Sequence, residues 1–171
     1  NTVEVTGAES GTATGTGGFS AINGAVTGGS NTDAFDLNGG TLGGAVDGGG
    51  GTNSLQLDDV VNAVTVTGGE SGTATGTGGF SNINGTITGG SNTDAFDLSG
   101  GTLSGAIVGG GGTNSLQLDD VANTVEVTGA ESGTATGVGG GFSAINGAIT
   151  GGSNTDAFDL NGGTLSGAIA G

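Results

Sequence analysis

The feature that most restricts what this chain can fold into is repetition. Residues 31–46 read NTDAFDLNGGTLGGAV, residues 92–107 NTDAFDLSGGTLSGAI and residues 154–169 NTDAFDLNGGTLSGAI. Val3 matches Val64 and Val125, so the long repeat is 61 residues. Its copies are 1–61, 62–122 and 123–171. The third carries one extra Gly in GVGGGF (137–142) and stops before the GTNSLQLDD segment of the other two. Apolar residues at fixed intervals mark stacked units that share a core, and a stack normally ends in polar capping units. The chain reads as one continuous segment, 1–171, of a longer array without a cap.

A shorter period lies inside the long one. Val5, Val26, Val46, Val66, Ile87, Ile107, Val127, Ile149 and Ile169 follow one another at 20 to 22 residues. Between them, Val3-Glu4-Val5, Phe35-Asp36-Leu37 and Leu55-Gln56-Leu57 alternate apolar and polar, the period of a strand with one face inward. Gly-rich corners such as Gly48–Gly51 separate these short segments. Glycine interrupts every helical window, at about 0.5–1 kcal/mol each against Ala. The expected fold is therefore all-β: a single-chain parallel β-solenoid of about eight coils of 20–22 residues, three coils per 61-residue repeat. Coils stack at about 4.8 Å, in the right-handed sense that parallel crossovers prefer. Val26, Val46 and Val66 should then lie directly over one another. One coil in three, TGAESGTATGTGG (6–18), places Thr14 and Thr16 where other coils place Phe or Leu, and is expected to be loose and bulged.

The charge is one-sided. There are 16 acids and no Lys, Arg or His, a net charge of −16. Nothing on the chain could neutralise phosphates, which excludes nucleic acid and anionic membrane surfaces as partners. No apolar run approaches the ~18 residues of a membrane span. The chain has no Cys, and so no disulfide or thiol chemistry. With no Tyr either, acid–base and nucleophilic catalysis lose nearly all their groups. Asp58-Asp59 and Asp119-Asp120 are neighbours on a strand and point to opposite faces, not toward one bond. The chain is not expected to be an enzyme. If Asp97 is the next acid above Asp36, three coils separate them, about 14 Å at strand spacing and beyond the ~8 Å screening length of physiological salt. Thr-Ala-Thr recurs only once in three coils, too sparsely for an ice-binding face.

Two stretches carry family resemblances. GGSNTDAFD (28–36, 89–97, 151–159) resembles the calcium-binding nonapeptide of RTX proteins, and GGGGTNSLQ (48–56, 109–117) resembles it with Asn in the Asp place. The resemblance implies calcium at Asp33, Asn53, Asp94, Asn114 and Asp156. Asn31 departs from the pattern where a third Gly belongs, and calcium needs six to eight oxygens. The same residues also suit plain β-corners, where Asp and Asn bond the backbone. The longer run DAFDLNGGTLGGAVDGGGGTNSLQLDD (33–59) resembles bacterial surface β-solenoid repeats of the autotransporter-passenger and filamentous-haemagglutinin type. That resemblance implies an extracellular or cell-surface location and a non-catalytic rod in an adhesin or filament. Such a rod would associate with itself end to end through open strand edges. An RTX-like secreted calcium module is the alternative. The sequence names no receptor or glycan.

Overall fold

The computed structural model describes residues 1–171 and contains strands but no helix. The first copy supplies β1 (Thr2–Gly7), β2 (Ser10–Ala13), β3 (Val26–Gly29), β4 (Ala34–Asp36), β5 (Val46–Gly49) and β6 (Ser54–Gln56). The second supplies β7 (Asn62–Gly68), β8 (Ser71–Ala74), β9 (Phe80–Ser81), β10 (Ile87–Gly90), β11 (Asp94–Asp97), β12 (Ile107–Gly110) and β13 (Ser115–Gln117). The third supplies β14 (Thr124–Gly129), β15 (Ser132–Ala135), β16 (Val138–Ser143), β17 (Ile149–Thr150), β18 (Ala157–Asp159) and β19 (Ile169–Ala170).

These strands form two mostly parallel sheets, neither closed into a barrel. The first runs β2-β1-β4-β6-β10-β12-β16-β15-β14-β18, and the second β3-β5-β9-β8-β7-β11-β13-β17-β19. Alternation drives the arrangement. In β7, Val64 and Val66 are buried while Ala63 faces out. Inward residues then stack across strands: Val3, Phe35 and Leu55 in the first sheet, Val64, Phe96 and Leu116 in the second. Both inner faces meet in one core, in which Phe35, Phe96, Leu55, Ile87, Ile107 and Ile149 are at most 1% exposed. Burying each such side chain contributes about 1.5–3 kcal/mol.

The 61-residue unit does not make three equivalent coils. Its Thr-rich part folds into an antiparallel meander within one sheet and never crosses to the other. In the second copy β7, β8 and β9 are successive antiparallel neighbours, and in the third β14, β15 and β16. Glu9, Glu70 and Glu131 take left-handed φ near 53° at the hairpin tips, which turns the chain back. Val26 and Val46 are register partners as the periodicity required. Val66 is not their neighbour: Phe80 pairs with Val46, and β8 lies between Phe80 and Val66. The 20-residue interval misleads here because a hairpin spends as many residues doubling back as a coil spends going round. The Thr segment is bulged as expected, with a register shift in each hairpin at Val5/Gly7, Val66/Gly68 and Val127/Gly129, but its edge is fastened. The Thr75 hydroxyl accepts the Ala63 N–H at 2.9 Å, and Thr14 and Thr136 do the same for Thr2 and Thr124. Thr stands there to fasten the hairpin edge, not to fill the core.

One consequence is a half-turn. Each unit crosses between sheets an odd number of times, so equivalent strands alternate: β4 lies in the first sheet, β11 in the second, β18 in the first. The second copy lays five strands in the second sheet and two in the first, and the sharing reverses in its neighbours. Asp97 therefore sits on the opposite sheet from Asp36. The acid nearest in register to Asp36 is Glu4 on the adjacent strand, so acids crowd more closely than a three-coil unit would allow.

Candidate functional site

The five residues marked for calcium lie along the edges of the core, joined in polar ladders. Asn53, Asp94, Asn114 and Asp156 each carry a side-chain oxygen that accepts the backbone N–H of the rung beside it, while Asp33 Oδ1 accepts the Asn1 side-chain amide. Asn62 N–H donates to Asp94 Oδ1 at 2.9 Å, Asp94 N–H to Asn114 Oδ1 at 2.9 Å, and Asn114 N–H to Asn146 Oδ1 at 2.8 Å. In the first copy Asn1 Nδ2 donates to Asp33 Oδ1, Asp33 N–H to Asn53 Oδ1 and Asn53 N–H to Asn84 Oδ1. In the third, Asn123 N–H donates to Asp156 Oδ1 at 2.9 Å. Asp33, Asn53, Asp94 and Asn114 are buried, and Asp156 is half-buried. Buried polar groups are tolerable only when bonded, and the ladder supplies the bonds where two strands turn the corner together.

The ladder also accounts for the Gly-Gly pairs. Five residues before each Asp or Asn stands Gly28, Gly48, Gly89, Gly109 or Gly151. A Cβ on any of them would overlap the outer side-chain atom of that Asp or Asn. The carboxylate or amide packs against bare glycine backbone.

Aspartate and asparagine are not equivalent in this position. Asn53 Nδ2 donates to the Gly50 and Asn82 carbonyls at 3.1 Å each, and Asn114 Nδ2 to Gly111 and Ala144. The corresponding atoms of the aspartates, Oδ2 of Asp33, Asp94 and Asp156, accept no hydrogen bond. Burial pushes the Asp94 carboxyl above the usual range, and the charge of Asp59 pushes the same way. The two hydrogen bonds from Asn62 oppose them. Asp33 is held below its usual range by the N-terminal ammonium, which lies 2.9 Å from Oδ1.

The structure joins four of the marked residues in two pairs and gives the fifth an unmarked partner. Asp33 sits with Asn53, Asp94 with Asn114, and Asp156 with Asn123, and no three carboxylates converge in metal-ligating geometry. Asn62, Asn123, Asn84 and Asn146 complete the ladders and were not marked by the nonapeptide pattern.

Acids also line two shallow hollows. Asp36, Gln56, Asp58 and Asp59 border one of about 140 Å³, and Asp97, Gln117, Asp119 and Asp120 its counterpart of about 170 Å³ on the other sheet. Burial raises the Asp36 pKa, helped by the charges of Glu4 and Asp58. Asp58 Oδ1 accepts the Gly39 and Asp59 N–H groups, while Asp59 Oδ1 accepts that of Ser91. The adjacent aspartates thus fasten different turns. Comparison of the chain with protein-family models, curated proteins and solved structures finds no match.

Proposed function

We propose that the chain is a non-catalytic structural segment: a single-chain β-solenoid rod, interrupted by one meander per repeat, from a bacterial extracellular filament or cell-surface adhesin. What carries the reading is a core that each repeat extends along the strand-stacking direction: Val3, Phe35 and Leu55 stack in register in one sheet, and Val64, Phe96 and Leu116 in the other. Units that share a core with their neighbours in this way favour further repeats along the axis. The acidic outer surface keeps such rods apart laterally, and most of its polar groups serve corners and ladders rather than a reaction.

Chains carrying three, five and seven repeats test this by electron microscopy. The first two repeats place six strands in one sheet and seven in the other, and the seven-stranded share sets a growth of about 34 Å per repeat pair at constant width. Particles that widen as repeats are added would refute the rod. A surface role requires the rods to be found outside the cell, which immunogold labelling of the source bacterium would show or deny.

A further inference from the structure

One pair of side chains sets the first junction between repeats apart from the second. The two junctions share their corner bonds. Asn53 Nδ2 donates to the Asn82 carbonyl, and Asn114 Nδ2 to that of Ala144. Asn53 N–H donates to Asn84 Oδ1, and Asn114 N–H to Asn146 Oδ1. Ser91 N–H reaches Asp59 Oδ1, and Ser153 N–H reaches Asp120 Oδ1. The strand pairs at the seam also correspond: Val46 and Asp47 face Phe80 and Ser81, while Ile107 and Val108 face Phe142 and Ser143. Only at the first junction is there a bond between side chains here, from Asn82 Nδ2 to Asp47 Oδ1 at 2.7 Å. The second holds Val108 and Ala144 at those positions, and neither can make it. Asp47 Oδ1 also accepts the Gly49 N–H at 3.0 Å, which holds the carboxylate in place. Asn82 takes a left-handed φ of 55°, a conformation in which Asn is favoured over Ala.

We propose that Asp47 and Asn82 form a register key, which makes the second repeat, and not the third, seat on the first. Copies this alike invite a skipped pairing, in which the corner at 141–146 docks on β5 and residues 62–122 are left out of the stack. Skipping would set Ala144 where Asn82 belongs and leave the Asp47 carboxylate without its amide donor. A charge-assisted hydrogen bond favours the partner that can make it over one that cannot. One polar contact in an otherwise uniform interface is the device that fixes register in coiled coils, and the same logic applies to stacked repeats. The key does not depend on where the rod is found.

The test uses the 171-residue chain. In urea melts, Asn82→Ala should lower the folding equilibrium about threefold more in the wild-type background than in the Asp47→Ala background, the scale of one partly exposed hydrogen bond. The key should also transfer: Ala144→Asn should gain about threefold more on Val108→Asp than on wild type. Each comparison cancels the preference of Asn for the left-handed corner. Register itself is read by hydrogen exchange with mass spectrometry after rapid refolding from urea. Skipped chains form a separate mass population, in which peptides from 62–122 exchange fast while those from 1–61 stay protected. Its share should rise about threefold when Asp47→Val and Asn82→Ala are combined, because both junctions then carry the same pair. Additive effects in the two cycles would overturn the pair. Equal skipped shares in the two chains, none in either included, would overturn the register key.

Discussion

Asp94→Asn should stabilise the protein at neutral pH, and the size of the effect follows from its surroundings. Asp94 is fully buried, its Oδ1 accepts the Asn62 backbone and side-chain N–H groups, and its Oδ2 has no donor. Asn114, one rung away, shows that an amide fits the same place: its Oδ1 accepts the ladder bond and its Nδ2 finds backbone carbonyls. The substitution keeps the bonds to Oδ1, removes a buried charge and turns an unmatched acceptor into a donor. A buried unsatisfied group costs about 1–3 kcal/mol. At about 2–4 °C per kcal/mol for a chain of this size, the melting temperature at pH 7 should rise by roughly 2–12 °C. The pH dependence fixes the cause. Burial raises the folded-state pKa of Asp94, so folding takes up a proton there. The stability linked to that proton is full below the unfolded value of 3.8 and is lost as pH rises through the folded value. The Asn variant has no such proton, so its advantage should vanish near pH 3. Paired thermal melts by circular dichroism at pH 3 and pH 7 measure both. A variant less stable than wild type at pH 7, or an advantage unchanged at pH 3, would refute the reasoning.

Other outcomes follow from the same contacts. Leu98→Ala should cost about 2–5 kcal/mol, as for a buried Leu, while Leu160→Ala, at a position 52% exposed, should cost far less; urea melts compare them. Gly89→Ala should destabilise severely because its Cβ would overlap the Asp94 carboxylate and the Gly109 carbonyl. Gly24→Ala, with no atom within 4 Å of its Cβ, should be nearly silent. Added calcium should leave the melting temperature within about 1 °C if the ladders alone occupy these residues. A rise that grows with calcium concentration, as binding linkage requires, would instead make Oδ2 of Asp33, Asp94 and Asp156 metal ligands.

Strand alternation, all-β character and the inward Val, Leu, Ile and Phe were legible because a period of two is written directly in residue type. Register was harder. Spacing from Val5 to Val26 aligns residues that lie in different sheets, although the next step, Val26 to Val46, joins true register partners. The informative alignment begins at Asn or Asp: Asn62-Ala-Val64, Asp94-Ala-Phe96 and Asn114-Ser-Leu116 place the apolar residue two after the ladder residue, and these are register partners in the second sheet. The meander is not legible in the sequence because β7 reads like any other alternating strand. Its reversal depends on Glu70 adopting a left-handed φ of 56°, which residue type alone seldom announces. Glu suits the place because its carboxylate reaches the next corner, accepting the Ser104 N–H at 2.9 Å and its hydroxyl. The ladders were half visible. The nonapeptide pattern marks their aspartates, but it does not announce that Oδ1 of Asp94 and Asp156 accepts the N–H of a neighbouring rung.

The odd number of crossings per unit decides what a binding partner would meet along a longer rod. Any surface mark, such as a hairpin tip or an acidic hollow, appears on opposite flanks in turn. Neighbours on one flank are thus two units apart, about 34 Å at strand spacing. An antibody or receptor approaching from one side would find every second copy, and a two-armed partner could link two rods while leaving the intervening marks free on the far flanks.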